Sequence, residues 1–351
     1  EFEQKWSQWL GSKHSVFCNS GSSANLLMYS ALKESGRLKN MKVIVPSVGW
    51  VTTIAPAIQL GMEPVLCEAD KETFALDLNH LEALIGQHQP SAVVLVQVLG
   101  VPAKMDDLLA MKDQHGFILL EDTCAAIGSK YQGLYLGSFG DMGSFSFYFG
   151  HQMSTIEGGM VSTNDKGLND ILLMHRSHGW SKDLDSWTRD HLVTDHEVDN
   201  FHSPFIFYEA GFNLRSTDLN AYLGIRQIEK LDWITARRSE NHARYLDHLG
   251  PHLYFQKPPE GSQVCSIHCG ALANDREQRH SIVKALADNG IETRIFSAGN
   301  LGLHPFWEKR FGRSSFPMAD RIHHCGFFLP NHPSLELESV DLICKVVKGA
   351  L

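Results

Sequence analysis

Short apolar runs alternate with amphipathic stretches through the first two thirds of the chain. MKVIVPSV, EPVLCEA, SAVVLVQVLG and GFILLEDTC each read as a buried strand, being short, rich in Val, Ile and Leu, and bounded by Gly, Pro or charge. Between them SANLLMYSALKES, LNHLEALIGQ and KMDDLLAMKDQHG place apolar residues at helical spacing. Strands separated by helices imply βαβ units and a mostly parallel sheet. After about residue 230 the pattern changes. IRQIEKLDWITARRSENHARYLDHL carries one long helical periodicity, QVCSIHCGAL and IETRIF look strand-like, and REQRHSIVKALADNG reads as a helix stopped by Gly290. The expected architecture is a large α/β domain over residues 1–235 and a smaller α+β domain over 236–351. The opening EFEQKWSQWLG is helical in pattern and has no initiator Met, which leaves room for a preceding segment.

Composition narrows the class. With 43% hydrophobic and 20% charged residues, the chain is an ordinary globular protein, long enough for more than one core. A net charge of -9 without any basic run argues against nucleic-acid binding. No apolar stretch approaches the roughly 18 residues of a membrane-spanning helix, and no secretory leader is visible. Seven scattered cysteines (Cys18, Cys67, Cys124, Cys265, Cys269, Cys325 and Cys344) form no dense framework and read as free thiols of a reducing compartment. A cytoplasmic protein without membrane or nucleic-acid partners is the expectation.

Three segments carry candidate chemistry. In CNSGSSANLLMYSAL a Gly-Ser-Ser turn precedes a helical pattern, so Gly21, Ser22 and Ser23 are candidates to hold an anion such as phosphate at a helix start. A serine in that position is more often just a cap. The strand GFILLEDTC ends in Glu121-Asp122, and ligands of open α/β sheets gather at the carboxyl ends of strands. An alternating Ser-Phe-Ser-Phe-Tyr run then leads into Gly150-His151 and on to Glu157-Gly158-Gly159.

Together these segments, with VIVPSVGWVTT, LLEDTCAAIGS, GSFGDMGSFSFY, EGGMVSTND and GFNLRSTDLNAYLGIRQIEKL, resemble the DegT/DnrJ/EryC1/StrS family of sugar aminotransferases along nearly the whole chain. That resemblance implies a fold-type I, aspartate-aminotransferase-like architecture that binds pyridoxal 5′-phosphate or its amine form, pyridoxamine 5′-phosphate. It implies that Asp122 pairs with the pyridinium nitrogen, that Trp50 stacks on the ring, and that Gly21 and Ser22, assisted by Ser146, bind the cofactor phosphate. It further implies that Asn213 reaches the same phosphate from a second subunit, hence a homodimer with shared active sites.

His151 departs from the family pattern. Typical members carry there the lysine that forms a Schiff base with the cofactor. An imidazole cannot do so, yet it can exchange protons near neutral pH. The substitution resembles the sugar 3-dehydratase branch of the family, as does ETRIFSAGNLGLHPF, in which Arg294 is a candidate substrate contact. Lys182 stands near where relatives have an arginine, keeping charge but losing the forked geometry. Arg215 is a candidate for a glutamate carboxylate. His151-Gln152 replaces the paired histidines often seen in the branch. A second dehydratase type adds an iron–sulfur cluster with three cysteines grouped around a C-x-C pair; this chain has no C-x-C.

The expectation is therefore a 3-dehydratase that binds its cofactor non-covalently, takes the amino group of L-glutamate and removes the C3 hydroxyl of a nucleotide-linked 4-keto-6-deoxyhexose, GDP-linked 4-keto-6-deoxymannose being favoured, in deoxysugar and O-antigen synthesis. No metal and no iron–sulfur cluster is expected. The rivals are a glutamate-dependent sugar aminotransferase with His151 as proton shuttle, and a non-catalytic, cofactor-binding regulator.

Overall fold

A computed structural model describes residues 1–351. Its main sheet has seven strands: β1 (His14–Cys18), β2 (Lys42–Pro46), β3 (Glu63–Cys67), β4 (Ala92–Val96), β5 (Ile118–Asp122), β6 (Met142–Ser146) and β7 (Gly159–Thr163). They lie in the order β1-β7-β6-β5-β4-β2-β3. β7 pairs antiparallel with both its neighbours, and every other pairing is parallel. The sheet is thus mostly parallel, as the strand–helix alternation requires.

Nearly continuous apolar strands are buried on both faces. Val43, Val45, Val94 and Leu120 pack with Leu27, Met28 and Leu32 of helix α2 (Gly21–Glu34). The alternate positions Ile44, Val93, Leu95 and Leu119 turn to the opposite face, against Leu81, Leu84, Met105 and Leu108. Those residues belong to α3 (Leu78–His88) and α4 (Met105–His115). α5 (Lys166–Arg176) adds Leu168 and Leu172 beside α2. Before β1, α1 (Phe2–Leu10) ends at Gly11 in the left-handed conformation. Its Phe2 and Trp6 join Phe17, Phe145 and Phe147 in an aromatic cluster.

One sequence-based expectation changes here. The periodicity over 225–249 is two helices, α6 (Asp218–Ile228) and α7 (Leu231–Leu249). α6 and the first residue of α7 serve the α1 aromatic cluster through Ile225, Ile228 and Leu231, whereas Tyr245 and Leu249 at the far end of α7 pack under a second, four-stranded sheet.

That second sheet contains β8 (Tyr254–Phe255), β9 (Cys269–Leu272), β10 (Arg294–Ile295) and β11 (Gly326–Leu329) in the order β8-β9-β11-β10, all antiparallel. The strand expected over QVCSIHCGAL is confined to β9, with Ser262–Gln263 joining a small third sheet instead. α8 (Arg276–Asp288) stops just before Gly290, whose φ is +69°. We propose a division into a large and a small unit along these sheets; the boundary drawn at residue 235/236 falls inside α7.

Candidate active site

The site forms where the carboxyl ends of β5 and β6 meet the N-terminus of α2, the place at which parallel sheets offer loops and free backbone amides. β6 owes its orientation to period-two alternation. Phe145 and Phe147 point into the aromatic cluster, which turns Ser144 and Ser146 the other way. The Ser144 hydroxyl donates to Asn25 Oδ1 at 2.6 Å. Ser146 is pressed on α2 so closely that a Cβ on Gly21 would lie 2.5 Å from the Ser146 Cβ. Glycine is required there by space.

Asp122 ends β5 and is buried. Its Oδ2 accepts from Asn25 Nδ2 at 2.9 Å and from the Thr53 hydroxyl at 2.6 Å, while Oδ1 accepts the Cys124 amide at 3.2 Å. With Ser144 behind Asn25, the carboxylate is held rigidly and retains lone pairs for a further donor. Its neighbour Glu121 is spent structurally. Fully buried, it accepts the amides of Gly137, Phe139 and Gly140 and the Gln97 side chain.

At the start of α2, Ser20 is the N-cap and accepts the Ser23 amide at 3.1 Å; the Ser23 hydroxyl donates to Asn19 at 2.6 Å. Ser23, a candidate for phosphate, is therefore committed to capping. Gly21 and Ser22 hold the first helical amides, which lack intrahelical acceptors, and Ser22 is exposed. Trp50 presents 61% of its surface, leaving an indole face free of any core.

His151 sits in the loop after β6 and is pinned by a turn, its amide donating to the Tyr148 carbonyl at 3.0 Å. Its Nδ1 lies 2.5 Å from the Cys124 carbonyl oxygen. A carbonyl only accepts, so Nδ1 carries the proton and Nε2 keeps its lone pair free. Burial pushes the imidazole down to about 4, only partly opposed by the Cys124 hydrogen bond and the Asp122 charge. It is a neutral base at physiological pH. Gln152 fixes the same loop by donating to the carbonyls of Ala125 (2.7 Å) and Cys265 (3.0 Å).

The other candidates lie apart from this floor. Asn213 is exposed, in a segment whose flanking amides bind back to the carbonyls of His175 and Arg176. Arg215 donates to Ser177 Oγ at 2.7 Å and lines a cleft of about 260 Å³ with Glu3, Arg176 and Asp218; none of the proposed cofactor residues borders it. Lys182 is exposed, 5.1 Å from the Trp180 ring centroid. Arg294 is exposed and paired with Glu292 at 2.7 Å.

Sequence reasoning missed Asn25, Thr53 and Ser144, whose partners lie 69 to 119 positions away. It also missed His268. That ring stacks on Phe328 with centroids 4.0 Å apart and is pushed down to about 4, chiefly by burial and then by the charges of Arg238, Arg294 and His151. It sits between His151 and Arg294 electrostatically.

A rigid carboxylate, free helix-start amides, a bare indole face and a neutral imidazole fit pyridoxal phosphate: an acid for the ring nitrogen, amides for the phosphate and an aromatic plane for the ring. Fold and site define a fold-type I α/β enzyme of the pyridoxal-phosphate class. The chain belongs to the DegT/DnrJ/EryC1/StrS aminotransferase family, whose model matches residues 1–348. It is 31% identical to GDP-4-keto-6-deoxy-D-mannose 3-dehydratase of Yersinia pseudotuberculosis over 99% of this chain and 90% of that protein. It is 27% identical to GDP-perosamine synthase of Escherichia coli O157:H7 over 99% and 88%. It superposes with a TM-score of 0.90, at 28% identity and over 99% and 91% of the two chains, on a crystal structure of GDP-4-keto-6-deoxymannose-3-dehydratase with a trapped PLP-glutamate geminal diamine. The protein is a pyridoxal-phosphate-dependent, sugar-modifying enzyme.

Proposed function

We propose that the protein is a glutamate-using 3-dehydratase that removes the C3 hydroxyl of a nucleotide-linked 4-keto-6-deoxyhexose, with GDP as the favoured nucleotide. One observation carries the reading: the loop facing Asp122 holds a neutral, oriented imidazole, and no lysine occurs between Lys130 and Lys166. In its pyridoxamine form the bound cofactor supplies an amine for the 4-keto group and a ring that accepts electrons. Asp122, kept in place by Asn25 and Thr53, would hold the ring nitrogen; the Gly21 and Ser22 amides with Ser146 would hold the phosphate, and Trp50 would supply an aromatic plane for the ring. His151, with Nε2 free, would move the protons, as base and then, once charged, as acid toward the leaving hydroxyl. The balance is substrate plus glutamate giving a 3-deoxy-4-keto sugar, 2-oxoglutarate and ammonia. A lysine here would draw the bound sugar toward an amino product, and His151 removes that route.

We assign Lys182, Arg215 and Arg294 to the charged parts of substrate and glutamate, and Asn213 to the cofactor phosphate of a second copy. The homodimer proposal draws on exposed apolar side chains, among them Phe201, Phe205, Phe207, Leu219 and Tyr222. The cluster-free reading is supported by the sequence, in which no C-x-C pair occurs. The second reading, sugar amination with His151 as proton shuttle, draws on the similarity to GDP-perosamine synthase. Incubation with glutamate and a panel of nucleotide-linked 4-keto-6-deoxy sugars, followed by mass spectrometry, separates them. We expect a product one oxygen lighter than its substrate; an amino sugar sinks the dehydratase.

A further inference from the structure

The far end of α2, away from the phosphate-binding turn, carries a second constellation. Glu34 is the last residue of α2, His175 lies near the end of α5, and Glu209 precedes the segment bearing Asn213 and Arg215. One ligand atom from each lies within 4.8 Å of the other two. His175 is 3% exposed, and its Nε2 is buried without any hydrogen-bond partner. Its Nδ1 sits 2.7 Å from Ser30 Oγ. Neither Glu34 nor Glu209 forms an ion pair with a Lys or Arg, although the two acids face each other. An acid pair beside an orphaned buried nitrogen is relieved either by a proton shared between the carboxyls or by a cation among all three groups, and only the cation also gives the nitrogen a partner.

We propose that Glu34, His175 and Glu209 form a binding site for a divalent transition-metal cation, Zn²⁺ or Mn²⁺ in chemical class. Two carboxylate oxygens and one imidazole nitrogen suit these borderline ions, with water completing the shell. Ligand bonds of about 2.0–2.2 Å bring donor atoms within about 4.2 Å of each other, so the donors close by several tenths of an ångström on binding. Glu34, exposed at a helix end, has the freedom to do so. With a metal on Nε2, the Ser30 hydroxyl would accept from Nδ1–H, as a supporting partner of a metal-bound histidine should. Burial lowers the His175 pKa, partly offset by Glu34, and raises that of Glu209, the Glu34 charge adding to it.

The site would act as a clasp. The Phe212 amide donates to the His175 carbonyl at 2.7 Å, and the Tyr208 amide to the Gly179 carbonyl at 2.9 Å. Glu209 thus belongs to a segment laid along the end of α5. A cation would tie α2, α5 and the run toward Asn213 and Arg215 at one point, independently of which sugar chemistry the enzyme performs.

The test uses the full chain stripped with chelator and titrated with Zn²⁺ alone, then Mn²⁺ alone, by calorimetry. We expect one saturable ion per chain for at least one of the two. Glu34→Gln, at an exposed helix end where folding is safe, should weaken that binding at least tenfold and abolish the metal-dependent rise in melting temperature. Hydrogen exchange of the 208–214 amides should slow on metal addition in the wild type only. Absence of a saturable site for either ion overturns the proposal. So does undiminished binding in Glu34→Gln, which would place the ion on other groups among the 19 histidines.

Discussion

The floor of the site and its rim are built on opposite principles. On the floor, Asp122, Asn25, Thr53 and Ser144 are buried and bound to one another, and His151 and Gln152 are tied to neighbouring carbonyls. On the rim, Lys182, Arg294 and Asn213 are exposed and Arg215 borders an open cleft. Lys182 rests near an indole ring, Arg215 on a serine and Arg294 on a surface acid. Buried polar groups left unpaired are expensive, so a floor must be completed by its own chain. Exposed ones are cheap to leave open. On the proposed function, cofactor chemistry is thereby preorganised, and the exposed side chains are the ones left open to substrate or a second copy.

Breaking the floor at its base should have the largest effect. His151→Asn should keep the fold and bind cofactor yet lose about 10² to 10⁴ in dehydration rate. A variant within a few-fold of wild type would show that another group moves the proton.

Acid should also strike the buried groups selectively. His151, His242 and His268 are each pushed down to about 4 by burial. The unfolded chain takes up these protons near the ordinary 6.5 and the folded chain only near 4. Above pH 6.5 both states are neutral and the rings cost nothing. As pH falls from there toward 4, protons favour the unfolded chain and stability is lost, each tenfold difference in proton affinity being worth about 1.4 kcal/mol per ring. Urea midpoints of the cofactor-free protein should fall steeply over that window. A flat profile would mean that these rings are not held neutral.

Asn25→Ala tests the network itself. It removes one donor from Asp122 and should cost about 1–3 kcal/mol, read as lower thermal stability and weaker cofactor retention. No change in either would show that the Asp122–Asn25 contact contributes nothing.

How much of this was legible in the sequence follows the same division. The β2 to β5 strands were readable because each is apolar on both faces, and His151, Asp122 and Ser146 because they sit in ordered local motifs. Asn25 and Thr53 were not, since their role exists only when β5 is laid beside α2 and the turn at Val51–Thr53. The break between α6 and α7 was invisible too, since no Gly or Pro marks it. The sequence left Ser23 open between cap and phosphate ligand because both use the same residue types, and its hydroxyl is engaged with Asn19.

At the rim, Asn213→Ala should weaken cofactor retention only a few-fold and make it depend more steeply on protein concentration, by mass action across a dimer. An active monomer in analytical ultracentrifugation with full cofactor content would remove the second chain from the site.

The most direct measurement follows the nitrogen of isotopically labelled glutamate through turnover with a GDP-linked 4-keto-6-deoxy sugar. With His151 in place of lysine, the label should appear as free ammonium while the sugar leaves without nitrogen and without its C3 oxygen. Label retained in the sugar would contradict the account.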